Sequence, residues 1–217
     1  MQYPEIDAFF DWFNNQLNER VAQLRDHGVP ESRIAELVRD EGLSTPGLSP
    51  ADWSAIEESL LVRATIPAAV RYFWSAHEFG RLKYGVPDWL LVDSTEQMKS
   101  NRGFQIQTAT EIRTYFSLAY DMDDYSDSGV YCLALDEDLP DDPMVYYSAG
   151  SAFEGVFNVP FPVVASFSAF VSLIGYLPEA CLSFSEEELA ELRAKEPQVF
   201  GGTAWHWWRK KIERPNG

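Results

Sequence analysis

The chain has 217 residues, 46% hydrophobic and 14% aromatic, so it can bury a sizeable core and lies far from the polar, highly charged composition of disordered proteins. With 34 acidic against 17 basic side chains and a net charge of −17, it argues against duplex DNA, RNA or an anionic membrane surface as a direct ligand, and its natural complement is a basic protein. Cys132 and Cys181 build neither a disulfide framework nor a metal pattern and fit a reducing cytoplasm; no secretory signal is expected, and no apolar run approaches the ~20 residues that span a bilayer.

Over residues 5–27, Phe9, Phe10, Phe13, Leu17, Val21 and Leu24 recur at three- and four-residue intervals, which predicts one face of a helix ended by Gly28 and Pro30. A short helix over 31–40 carries Ile34, Leu37 and Val38, with Gly42 at its stop, and 44–48 is a turn-rich connector. Ser49, Pro50 and Asp52 read as an N-cap, a first-turn proline and a first-turn acid of a helix running to about Val62. Ile66-Pro67 opens another, with Val70, Phe73, Trp74 and His77 on one side and Gly80 at its close.

Beyond Pro87 the pattern changes. Residues 89–92 predict a short buried strand, 104–107 a half-buried one, 110–116 a helix, and 130–135, 144–147 and 153–159 a meander of antiparallel strands separated by Pro140, Pro143 and Gly150. Helical spacing returns over 164–174 at Phe167, Phe170, Val171 and Ile174. A charged helix over 186–195 is capped by Ser185, and the aromatic, basic tail holds Trp205, His206, Trp207, Trp208, Arg209, Lys210 and Lys211.

The acidity is local. Residues 114–192 hold fifteen acids and no lysine, arginine or histidine, so the rest of the chain carries −17 − (−15) = −2. The densest part edges the meander: Asp121, Asp123, Asp124 and Asp127 around Tyr125, then Asp136, Glu137 and Asp138, then Asp141 and Asp142. Aspartates are common turn formers, but soluble surfaces usually intersperse both signs, and unrelieved like charge costs stability. These ten residues are the candidate partner-binding set, with tyrosine supplying contact area and the acids steering a basic partner.

Other chemistry finds no support in the spacing. His27, His77 and His206 lie in three separate elements, and no second histidine follows His77-Glu78 to make the zinc helix pattern. Gly150 and Gly155 have phosphate-loop separation, but Val156-Phe157 stands where lysine and a hydroxyl residue are required. A calcium loop begun at Asp124 puts Gly129 correctly at its sixth position and Leu135 where the bidentate glutamate must be; begun at Asp121 it puts Tyr125 and Ser126 at positions five and six. No catalytic residue, cofactor or metal is expected.

A proline-led helix from Ile66-Pro67-Ala68-Ala69-Val70, a strand Val130-Tyr131-Cys132-Leu133-Ala134-Leu135-Asp136, a strand Met144-Val145-Tyr146-Tyr147 and a helix entry Ser166-Phe167-Ser168-Ala169-Phe170 follow in that order. This resembles the SUKH superfamily over about residues 60–175; where members often carry an asparagine-glycine pair after the first helix, this chain has His77-Glu78-Phe79-Gly80. The resemblance implies an α+β fold, a helical N-terminal region followed by a mainly antiparallel sheet with packed helices, and for bacterial members a toxin-immunity role without shared catalytic residues. It divides the chain into a helical extension (1–48), an α+β domain (49–200) and an aromatic, basic tail (201–217). The expected function is a cytoplasmic immunity protein that neutralises a cognate toxin through its acidic surface. Competing expectations are a regulatory or scaffold module of the same fold and a hydrolase with a pocket lined by His77 or His206 and carboxylates.

Overall fold

A computed structural model of the chain describes residues 3–80, 82, 86, 90–107, 110–121, 129–135, 138–151 and 156–176, together with Glu187, Ala190 and Ala194. Helices come first and an antiparallel sheet with packed helices follows, an α+β arrangement. Helix α1 (Pro4–Asp26) buries Ile6, Phe9, Phe10, Phe13, Leu17 and Val21 along one stripe, the face its spacing predicts. Helix α2 (Glu31–Glu41) lays Ile34 on the Leu17 and Val21 end of that stripe. Helix α3 (Pro50–Ser59) begins with a capping box, the Ser49 hydroxyl accepting from Asp52 N while the Asp52 carboxylate accepts from Ser49 N.

Helix α4 (Ala68–Ala76) stops one residue before His77, which is extended. The 44–48 connector folds against its end: Gly47 N and Leu48 N donate to the carbonyls of Ser75 and Trp74 at 3.2 and 2.8 Å. Those two bonds satisfy last-turn acceptors that a helix leaves open. A Cβ on residue 47 would collide with the Trp74 and His77 carbonyls, which is why glycine stands there.

The sheet is built on β3 (Ile112–Asp121) and β4 (Gly129–Ala134), followed by β5 (Val145–Ser151). On the outer edge of β3 two short strands share one position end to end: β2 (Phe104–Gln107) pairs with residues 112–115 and β1 (Leu90–Val92) with residues 119–121. Helix α5 (Thr95–Lys99) bridges them in sequence. The outer edge of β5 is shared likewise, by β7 (Phe161–Val164) and the two-residue β6 (Val156–Phe157). Helix α6 (Phe167–Tyr176) then packs on α1.

One face of the sheet meets the helices. Phe116, Leu118, Tyr131, Leu133, Val145 and Tyr147 join Phe10, Phe73, Trp74, Phe167 and Phe170 in a single core, so the N-terminal helix expected as an extension shares its core with the sheet. Ring contacts bind it: Phe10 on Phe73 (5.0 Å), Phe73 on Trp74 (4.7 Å) and Tyr131 on Phe170 (5.2 Å). The other face carries a smaller cluster of Ile106, Tyr115, Val130, Cys132 and Ala134, flanked by Phe104, Tyr120 and Tyr146.

Three segments differ from expectation. Residues 112–116, read as the body of a helix, are strand, because Thr114 and Tyr115 pair with β2, Tyr115 and Phe116 pair with β4, and all three side chains are buried, which suits β-branched and aromatic side chains and removes alternation. The expected strand over 153–159 is reduced to Val156–Phe157 among its described residues, and β7 follows it with Pro162 on the sheet edge, where a missing N–H is tolerated. Helix α5 lies where no element was predicted. Of the charged helix over 186–195, Glu187, Ala190 and Ala194 are described and helical; the aromatic, basic tail with His206 and the loop at Cys181 lie outside the described residues.

Candidate functional site

The nine acids and one tyrosine of the expected partner surface do not behave as one group. Asp123, Asp124, Tyr125, Asp127, Asp136 and Glu137 lie outside the described residues. Asp138 and Asp141 are exposed. Asp142 is half-buried and employed: its carboxylate accepts from Ser168 N at 2.9 Å and from the Ser168 hydroxyl, at the positive end of α6. The Asp141 carbonyl accepts from Ala69 N at 2.8 Å in the first turn of α4, so this acid pair ties two helix starts to the sheet.

Asp121 is fully buried on the helix-covered face, where the Tyr147 hydroxyl donates to its carboxylate at 3.4 Å; its side chain is not part of a solvent-facing surface. Gly129, paired opposite Asp121, makes room for Tyr147, since a Cβ there would fall on the phenol oxygen and ring.

A different polar site emerges at the split edge of β3. The ladder leaves residues 116–118 without a strand partner on that side. Asp93 N donates to the Leu118 carbonyl at 3.0 Å, and Asn101 Nδ2 donates to the Ser117 carbonyl at 2.9 Å and to the Ser117 hydroxyl at 3.0 Å. The segment between β1 and β2 thus satisfies the orphaned edge with one backbone amide and one side-chain amide.

A register shift between Ser117 and Ala119 shapes the site. Ser117 lies opposite Cys132 and Ala119 opposite Tyr131, so Leu118 is an extra residue in the strand. Leu118 and Ala119 both join the helix-side core, and Tyr120 returns to the face that Tyr115 and Ser117 occupy. Ser117 and Tyr120 therefore line one cavity of about 390 Å³, open to solvent, with Asp93, Gln97, Ser100, Asn101, Arg102, Gly103 and Phe104.

Asp93 is held from several sides. The buried Trp74 indole N–H donates to its carbonyl at 2.8 Å, linking α4 to the end of β1. Ser94 caps α5 in a second capping box, its hydroxyl accepting from Gln97 N (3.2 Å) while Gln97 Oε1 accepts from Ser94 N (2.8 Å). Thr95 N and the Thr95 hydroxyl bind the Phe79 backbone, both at 3.0 Å. Asp93 is 4% exposed, and its carboxyl receives one protein donor among the described residues, the Ser117 hydroxyl at 3.1 Å. Burial raises its pKa from 3.8 to about 6, against the lowering effect of that hydrogen bond. Burial and the neighbouring Asp93 charge push the Tyr120 phenol upward as well, and burial pushes the Cys132 thiol well above its ordinary value.

The cavity offers one buried carboxylate, amide and hydroxyl groups, two aromatic side chains and a guanidinium. It contains no histidine. His77, one of the two histidines on which a hydrolytic pocket is expected to draw, packs edge-on to Phe10 at 4.5 Å between ring centres; its Nδ1 is buried without a hydrogen-bond partner among the described residues, and burial lowers its pKa. No group of three or more metal-ligating side chains occurs among the described residues, and no described helix is long and apolar enough to cross a membrane. No family model, no curated protein and no solved structure matches the chain.

Proposed function

We propose that this chain is a cytoplasmic immunity protein of the SUKH type, which binds a basic toxin and occludes it through the acid-rich stretch between residues 121 and 142. The observation that carries the reading is the charge distribution: fifteen acids without a single base over residues 114–192. Such a one-sign region raises the rate at which a basic partner is captured and disfavours acidic competitors. The α+β fold with a proline-led α4 before the sheet and α6 after it is compatible with the resemblance. Asp138 and Asp141 supply exposed charge; Asp121 and Asp142 serve the fold and contribute to the local field without being contact residues.

The test begins with co-purification of the chain with the product of the adjacent gene and a growth-protection assay. Asp123, Asp124, Asp127, Asp136 and Asp138 are then replaced together by asparagine, leaving Asp121 and Asp142 intact. Association is expected to slow by about tenfold at low ionic strength, with dissociation little changed and the difference shrinking as salt is added. Unchanged association kinetics would reject the acidic stretch as the contact surface, and absence of both complex and protection would reject the immunity reading.

A further inference from the structure

The cavity at the split edge of β3 plays no part in that reading. Its central feature is a carboxylate taken almost wholly out of water and given one neutral donor. Burying an ionised carboxylate without a positive partner is costly, and native structures ordinarily pair it or place it on the surface. Here neither holds, and the group lines an open cavity whose size falls at the lower end of small-ligand sites. The surrounding polar groups are already engaged with one another: Gln97 Oε1 accepts from Ser94 N, Asn101 Oδ1 from Gly103 N, and the Ser117 hydroxyl lies between Asn101 and Asp93. The one positively charged donor in the lining, Arg102, is exposed and makes no ion pair with Asp93 among the described residues.

We propose that this cavity binds a cationic nitrogen group, a primary ammonium or guanidinium on an aliphatic stem, with Asp93 as its counter-ion and Phe104 and Tyr120 as its aromatic walls. Both residues line the cavity, and a cation set against an aromatic face gains from its electron density. A hard metal ion fits less well, since it requires about six oxygen ligands and the lining holds a single carboxylate. A Ser117 nucleophile fits no better: its hydroxyl is engaged with Asp93 and Asn101, and no imidazole is at hand to take its proton.

The other charged or titratable groups around Asp93 are few. Arg102 lines the cavity from the loop before β2 and is exposed, without an ion-pair partner among the described residues. Tyr120 faces it from β3, and the Trp74 indole from α4 is spent on the Asp93 carbonyl. On α5, Lys99 pairs with Glu96. Arg102 opposes a bare cation and favours one that brings an acceptor of its own, such as the backbone of a lysine or arginine residue.

The test is a titration followed by amide proton–nitrogen correlation spectra, with n-butylammonium and n-butylguanidinium as free cations and Nα-acetyl-lysine methylamide as a peptide-borne one. At about pH 8, millimolar probe is expected to shift Asn101, Gly103, Ser117 and Tyr120, with binding weakened about tenfold at about pH 5, where Asp93 takes up its proton. Asp93→Asn, an isosteric change that removes the buried charge, is expected to abolish the shifts, and Arg102→Gln to strengthen binding of the two free cations. Tighter binding of the acetyl-lysine probe identifies a protein side chain as the source, and tighter binding of the free cations identifies a small amine. Absence of shifts with every probe overturns the proposal, as does binding that persists in Asp93→Asn or does not change with pH.

Discussion

The two faces of this sheet treat a buried aspartate in opposite ways. On the helix-covered face, Asp121 sits among packed aromatic side chains and takes the Tyr147 hydroxyl. On the other face, Asp93 is nearly as buried, yet it borders a cavity that reaches solvent. The first face is filled by a core with rings from four helices, α1, α3, α4 and α6; the second, where β1 and β2 leave a gap along β3, is closed by hydrogen bonds and leaves room. Packing density decides what a polar group can do: an aspartate in a filled region can only support the fold, while one beside a gap remains available to a ligand.

The largest effect expected from that contrast lies on the filled face. Phe116→Ala removes a fully buried ring from the core that the sheet shares with the helices, and is expected to lower stability by about 3–5 kcal/mol, read from urea unfolding. A loss much below that range would mean the face is not tightly packed.

On the open face the expected sign reverses. A folded-state pKa of about 6 against an ordinary 3.8 means the native protein holds the Asp93 proton more tightly than the unfolded chain does. This contribution is therefore fully present below pH 3.8 and is lost as pH rises through about 6. Asp93→Asn should stabilise the protein at about pH 8 by roughly 2 kcal/mol, after allowing for a poorer bond to Ser117, with the gain vanishing in acid. His77 runs in the opposite direction, since its lowered pKa gives stability that is present above about pH 6.5 and lost on acidification. Comparing the pH profiles of Asp93→Asn and the native chain separates the two. A destabilising Asp93→Asn at high pH would place the carboxylate in a structural role like that of Asp121.

The smallest effect concerns the support of the open face. Ser94→Ala removes the α5 cap beside Asp93 and is expected to cost about 1 kcal/mol of stability. The same change should broaden the amide signals of Asn101 and Gly103, whereas Asp138→Asn on the exposed loop should change stability by less than about 0.5 kcal/mol.

Much of the frame is legible in the sequence. The α1 stripe, the Ser49 cap, β4 and the α6 spacing come from local patterns that the tertiary fold respects. The helix expected over 110–116 fails because Thr114, Tyr115 and Phe116 are buried in a strand that pairs with β2 on one edge and β4 on the other, a context that a short window does not contain. The acidic residues show the same limit. Asp142 reads as one more surface acid, but its partner Ser168 is 26 residues away. Asp93 directly follows the strand expected over 89–92, and Ser94-Thr95-Glu96-Gln97 has the capping-box spacing that announces α5 and so places the preceding aspartate at a strand-to-helix junction. Its meeting with Ser117 and Tyr120 depends on an irregularity in β3 that no composition or periodicity encodes.

That irregularity also governs how the chain can change in length. In a regular strand, losing one residue turns every later side chain to the opposite face. In β3, losing Leu118 would bring Ser117 and Ala119 into consecutive register opposite Cys132 and Tyr131, leaving Tyr120 and Asp121 on the faces they already occupy. Along this central strand, residue count and side-chain orientation are uncoupled at that one point, so β3 can be shortened there without scrambling either face of the sheet.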